Sequence, residues 1–130
     1  MTQHFLLTVG STSNIIHVWA WKMALPIMPL TGLAWNTAGL TCHYILPGGA
    51  DTGLLLAPAV IGTWTGAGFA EVSAVNLPGL YEFGVPDFIA LSPARRATIM
   101  FQGAANLVPL VVNIDLVVPS RAAGDHLIKP

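Results

Sequence analysis

The chain has 130 residues, of which 54% are hydrophobic and only 8% are Asp, Glu, Lys or Arg, where an average soluble protein is about 25% charged. A formal net charge of −1 with five Lys plus Arg argues against a nucleic-acid partner, which needs a basic surface to neutralise phosphates. The lone Cys42 excludes an internal disulfide and a cysteine zinc cage.

A monomer so poor in charge would leave large apolar areas in water. Either a membrane or other subunits must cover them. A spanning helix needs about 20 apolar residues in a row, and Pro26, Pro29, Pro47, Pro58, Pro78, Pro86, Pro93 and Pro109 interrupt every apolar stretch. A membrane barrel gives a weaker signal, but a chain this short would be among the smallest of them. No membrane partner is expected, and one domain is.

Residues 1–14 show no sustained period and read as an N-terminal arm with an apolar patch at Phe5, Leu6, Leu7 and Val9. The opening Met1 to Gly10 lacks a basic stretch, and its apolar segment is short, so it is a poor secretory signal. The lack of paired cysteines suits cytoplasmic folding. Ile15 to Trp21 is β-branched and aromatic and predicts a first strand. Its two faces, Ile16, Val18, Ala20 and Ile15, His17, Trp19, Trp21, are both largely apolar, so cover is expected on both sides.

Lys22 to Leu30 is read as an extended loop set by Pro26 and Pro29, and Ala34 to Gly39 as a loop around Trp35. Leu40 to Leu46 alternates, with Leu40, Cys42, Tyr44 and Leu46 on one side, and predicts a half-buried strand. Pro47 to Gly53 is a turn cluster. Leu54 to Ile61, broken by Pro58, predicts an edge strand or an extended segment.

Gly68 to Asp87 predicts a hairpin. Leu77-Pro78-Gly79-Leu80 places Pro and Gly where a type II turn wants them. With that turn as the tip, Ala70, Val72 and Ala74 lie beside Tyr81, Phe83 and Val85 on the buried face, and Phe69, Glu71, Ser73, Glu82 and Gly84 lie on the other. Asp87 is a candidate N-cap for one helical turn. Arg95 to Gln102 predicts a strand with Ala97, Ile99 and Phe101 inward. Leu107 to Val118 alternates most cleanly, with Leu110, Val112, Ile114 and Leu116 together. Residues 119–130 form a polar C-terminal tail with an apolar tip at Leu127 and Ile128.

About six or seven short strands with turns every 8 to 12 residues or so predict an all-β fold, an antiparallel β-sandwich of immunoglobulin-like or jelly-roll-like type. Its domain spans residues 15–118, with extended arms at both ends.

Little in the sequence carries chemistry. His4, His17, His43 and His126 have no ligand spacing, so no metal or other cofactor is expected. Glu71 and Glu82 on one hairpin face would resemble a glycosidase pair, yet a solvated pair with nothing to raise one pKa is the better reading. No nucleophile elbow or phosphate-binding loop occurs, so an enzyme is not expected. Trp19, Trp21, Trp35 and Trp64 suit interface anchoring, with Trp35 and Trp64 as the candidates for stacking on a sugar.

The run Gly68-Phe69-Ala70-Glu71 through Pro78-Gly79-Leu80-Tyr81, with Thr31-Gly32-Leu33 upstream and Ile114-Asp115-Leu116-Val117 downstream, resembles a small β-sandwich module of structural proteins of tailed bacteriophages. The similarity covers about Ile15 to Val118. Two features depart from the pattern: the segment between Leu33 and Gly39 is longer, and Gly84 stands where a bulkier strand residue is expected. The resemblance implies a virion structural protein, made in the host cytoplasm, with no catalytic residues.

Together these readings favour a capsid decoration (cement) subunit. Its partners would be the major capsid protein, other virion proteins and further copies of itself in a homo-oligomer. Phe5, Leu6, Leu7, Trp19, Trp21, Leu127 and Ile128 are the expected partner contacts. The alternatives are a tail, baseplate or fibre-base protein, a carbohydrate- or receptor-binding module using Trp35 and Trp64, and a secreted bacterial sandwich of unrelated function.

Overall fold

Period-two alternation puts every second side chain on one face of a strand, so two such faces can close on each other and exclude water. A computed structural model, describing residues 2–91 and 95–118, has this arrangement. In chain order the elements are β1 (Thr2–Thr8), β2 (Ile15–Trp19), β3 (Thr41–Ile45), β4 (Thr52–Gly53), β5 (Phe69–Ser73), β6 (Leu77–Gly84), α1 (Asp87–Ala90), β7 (Arg96–Gln102) and β8 (Leu110–Val117). One sheet has the order β1-β8-β7-β3-β4 and the other β2-β6-β5. Every pairing is antiparallel except that of β1 with β8. The fold is an all-β sandwich, as expected.

The core lies between the sheets. Val18, Tyr81 and Phe83 face Ile99, Phe101, Val112 and Ile114, all almost wholly removed from water. Phe69 stacks on Tyr81 with ring centroids 5.0 Å apart, and Phe101 reaches across to Phe69 at 5.5 Å and edge-on to Phe83 at 5.1 Å. Each such side chain contributes about 1.5–3 kcal/mol by leaving water. The inward sets expected for β7 and β8 are the observed ones, Ala97, Ile99 and Phe101, then Leu110, Val112, Ile114 and Leu116. Of the set expected for β3, Cys42 is buried and Leu40, Tyr44 and Leu46 are half-buried against the core.

Several expectations are corrected. The segment expected as an arm is strand β1, paired with β8 along its length from Thr2↔Val111 to Thr8↔Val117. Its alternation is masked in the sequence because polar Gln3 lies on the half-buried side with Phe5 and Leu7, while Leu6 lies on the exposed one. Eight strands therefore stand among the described residues, the two additional ones being β1 and the two-residue β4 inside the turn cluster. Leu54 to Ile61 is the extended segment, joined to its neighbours by one parallel bridge, Ala57↔Gly68. The expected tail, 119–130, lies outside the described residues.

The hairpin exists but turns earlier, at Ala74–Asn76, so that Phe69 pairs with Phe83 and Glu71 with Tyr81. A tip at Pro78-Gly79 would have placed Phe69 on the wet face. The earlier turn buries it to 1% exposure, while of the residues expected inward Ala70 and Val72 are half-buried and Ala74 is exposed, so one large aromatic outweighs the smaller side chains it displaces. The Pro-Gly pair is accommodated as a bulge: between Glu71↔Tyr81 and Ser73↔Leu77, β6 has three residues against one in β5. Gly79 does take a positive φ, +85°, and a Cβ there would come within 2.7 Å of Pro29 Cβ.

At β2, only the Ile16, Val18 and Ala20 face is buried, and His17 and Trp19 are exposed. Asp87 is not the cap of α1. Pro86 holds that position, and Asp87 Oδ1 instead accepts the Ser13 N–H at 2.7 Å, tying the β1–β2 connection to the helix. Gly84, unusual for a strand, has its reason in Thr65, whose carbonyl oxygen occupies the space that a Cβ would need.

Candidate interaction surface

Between β2 and Leu33 the chain leaves the sandwich and returns. Trp21 and Pro29 form an antiparallel bridge, and the Lys22 N–H donates to Met28 O at 2.7 Å, closing the base of a loop. The base is fixed to the domain by Met23 N–H to Asn106 O (2.7 Å) and Val108 N–H to Trp21 O (3.0 Å). Pro26, at the tip, has no N–H to donate to a ladder, and no strand or bridge falls on residues 23–28. Met23, Leu25, Ile27 and Met28 all stand in solvent, Leu25 to 93%. The sequence signal is the apolar run Met23-Ala24-Leu25-Pro26-Ile27-Met28 inside a segment expected only as an extended loop.

The expected contact residues divide. Leu6 is 71% exposed on the outer face of β1, while Phe5 and Leu7 pack against the chain's own core. Trp19 is 39% exposed and stacks on Trp21 at 6.4 Å. The Gln3 side chain holds β1 against β2 here: its amide accepts the Trp19 N–H and donates to Trp19 O, both at 2.9 Å. β1 and β2 belong to different sheets, and Gln3, which joins them at Trp19, lies on the face of β1 opposite Leu6, so Leu6 and the Trp19–Trp21 pair are separate exposed patches. Leu127 and Ile128 lie outside the described residues.

Trp35 and Trp64 line different hollows, one on each side of Leu54 and Leu55. That of Trp35 also takes in Leu40 to His43 and measures about 360 Å³. That of Trp64 measures about 440 Å³ and is walled by Leu54, Leu55, Pro86, Asp87 and Phe88. The Trp64 indole N–H donates to Val85 O at 3.0 Å, which fixes the ring in place.

The titratable groups are mostly used in holding the fold. Glu71 and Glu82 fall on opposite faces of the hairpin, since Glu71 pairs with Tyr81 and Glu82 with Ala70. Glu82 accepts the Gly62 N–H at 2.9 Å and lies 3.2 Å from His17 Nε2. Glu71 Oε1 accepts the Gly32 N–H at 3.0 Å. Tyr81 completes that clamp by donating its hydroxyl to Leu30 O at 2.7 Å and accepting the Leu33 N–H at 3.2 Å. The Gly-Phe-x-Glu and Pro-Gly-x-Tyr segments thus converge on Thr31-Gly32-Leu33. Burial pushes the Cys42 thiol up to about 12, so it is an inert core residue. Among the described residues no three His, Cys, Asp or Glu side chains come together as a metal site, and no helix is long and apolar enough to cross a membrane.

Comparison with protein families, with curated proteins and with solved structures returned no match.

Proposed function

We propose that this chain is a structural subunit of a tailed-bacteriophage virion, serving as a decoration subunit over junctions between major capsid subunits. The observation that carries the reading is apolar surface held out by the frame of the sandwich: the Met23–Met28 loop on its fixed base, and, separately, Leu6 on β1 and Trp19 at the end of β2. Patches of this kind are what a partner covers. The resemblance of the Thr31–Leu33, Gly68–Glu71 and Pro78–Tyr81 segments to phage sandwich modules supplies the kind of assembly. The action is mechanical: apolar area buried across a junction, worth roughly 25 cal/mol per Å², opposes separation of the subunits beneath. A sugar platform has less support, because Trp35 and Trp64 line separate hollows and the Trp64 N–H is already engaged.

Purified protein added to empty shells should bind them and raise their disruption temperature, and Leu6→Asp should abolish both effects while leaving the fold intact. Mass spectrometry of gradient-purified particles gives the location. Hundreds of copies per particle support the shell, a few dozen move the subunit to the tail or baseplate, and absence from the particle overturns the reading.

A further inference from the structure

The apolar loop and the Trp64 hollow sit at opposite ends of one strand. The loop grows from the start of β6: Ala20 N–H donates to Gly79 O, and Pro29 packs on Gly79. The hollow is walled by Pro86, Asp87 and Phe88, just past the end of β6. At about 3.3 Å per residue, the two are on the order of 20 Å apart. The loop is anchored at both sides of its base, so it cannot fold back into the hollow of its own chain.

Their chemistry is complementary. The loop offers Leu25 and Ile27 as a projecting apolar knob, and the hollow offers Leu54, Leu55, Trp64 and Phe88 as apolar walls. At the base of the knob stands Lys22, and no other Lys or Arg occurs before Arg95. In the wall of the hollow stands Asp87. The ion pairs among the described residues are His17–Glu82, His43–Asp51 and Arg96–Asp115, so neither Lys22 nor Asp87 has an oppositely charged partner there.

We propose that the Met23–Met28 loop of one copy inserts into the Trp64 hollow of the next, with Lys22 set against Asp87. Because knob and hollow are different surfaces, the contact is head-to-tail, and copies join into a ring or an open chain rather than a two-fold dimer. The proposal deepens the structural-subunit reading and rests on it for its purpose, but it is tested on the purified protein alone. A failure here leaves shell binding through Leu6 or Trp19 untouched.

The test uses two variants at exposed positions, Leu25→Asp in the knob and Leu55→Asp in the hollow, the latter site 90% exposed. Circular dichroism checks that both fold, and sedimentation velocity reads their mass. The unaltered chain should form species larger than a dimer as concentration rises, and each variant alone should remain monomeric. Mixed, the two should give a one-to-one heterodimer and nothing larger, since only one intact knob and one intact hollow remain. A parallel arm introduces Leu25→Cys and Leu55→Cys together and should give a ladder on non-reducing gels, with Leu25→Cys alone giving none. Variants that stay monomeric on mixing, a dimer from Leu25→Cys alone, or an unaltered chain that remains monomeric throughout would each overturn the proposal. The last result would assign the loop to a partner of another kind.

Discussion

The Tyr81 hydroxyl is buried between the sheets and bonded twice, to Leu30 O and from Leu33 N–H. Replacing it in Tyr81→Phe orphans both backbone groups, and a buried unsatisfied group costs about 1–3 kcal/mol. The unfolding free energy should fall by that amount, and the denaturation midpoint by that amount divided by an unchanged slope. Burial raises the Tyr81 pKa from 10.0 to about 12, opposed by the Leu33 hydrogen bond and assisted by the Glu71 carboxylate. Burial likewise raises Cys42 from 9.0 to about 12. Both groups keep in the folded state a proton that the unfolded chain has released. Their contribution is therefore complete below pH 9 and is lost as pH rises toward 12. Stability measured against pH should begin to fall near 9, and in Cys42→Ala the fall should begin about one unit higher, near the ordinary tyrosine value.

At the scale of elements, β1 decides whether the N-terminal residues are separable from the domain. It covers the edge of β8 and packs Phe5 and Leu7 on the core. Deleting residues 1–8 should then lower the thermal midpoint by several degrees or more and increase binding of a dye for exposed apolar surface, because the edge of β8 is opened. An unchanged midpoint would show that these residues act as a detachable arm. The hairpin gives the same lesson from the other side. Pro78-Gly79 has the local chemistry of a turn, yet the need to bury Phe69 moves the reversal to Ala74–Asn76 and leaves the Pro-Gly pair as a bulge.

Over the whole molecule, the scarcity of charge sets how copies and partners meet. An association dominated by apolar burial strengthens in sulfate, which is excluded from protein surface, and responds little to sodium chloride, which screens only charges. Sedimentation in the two salts should show larger species in ammonium sulfate and a modest weakening in sodium chloride, the latter from the Lys22–Asp87 pair alone. Strong dissociation by sodium chloride would contradict an apolar contact.

The all-β class, the inward faces of β3, β7 and β8, and the excess of apolar surface were legible in the residues themselves. Alternation and composition are local properties, and a strand buried on one face must display them. Three things were decided only by tertiary structure. Gln3 on an inner face and Leu6 on an outer one hide the period of β1, because pairing with β8 and the bond to Trp19 override local pattern. The position of the hairpin turn depends on which aromatic the opposing sheet can bury. The placing of an apolar loop and a hollow at opposite ends of β6 depends on distances between residues some thirty to sixty positions apart, and no local window of sequence contains them.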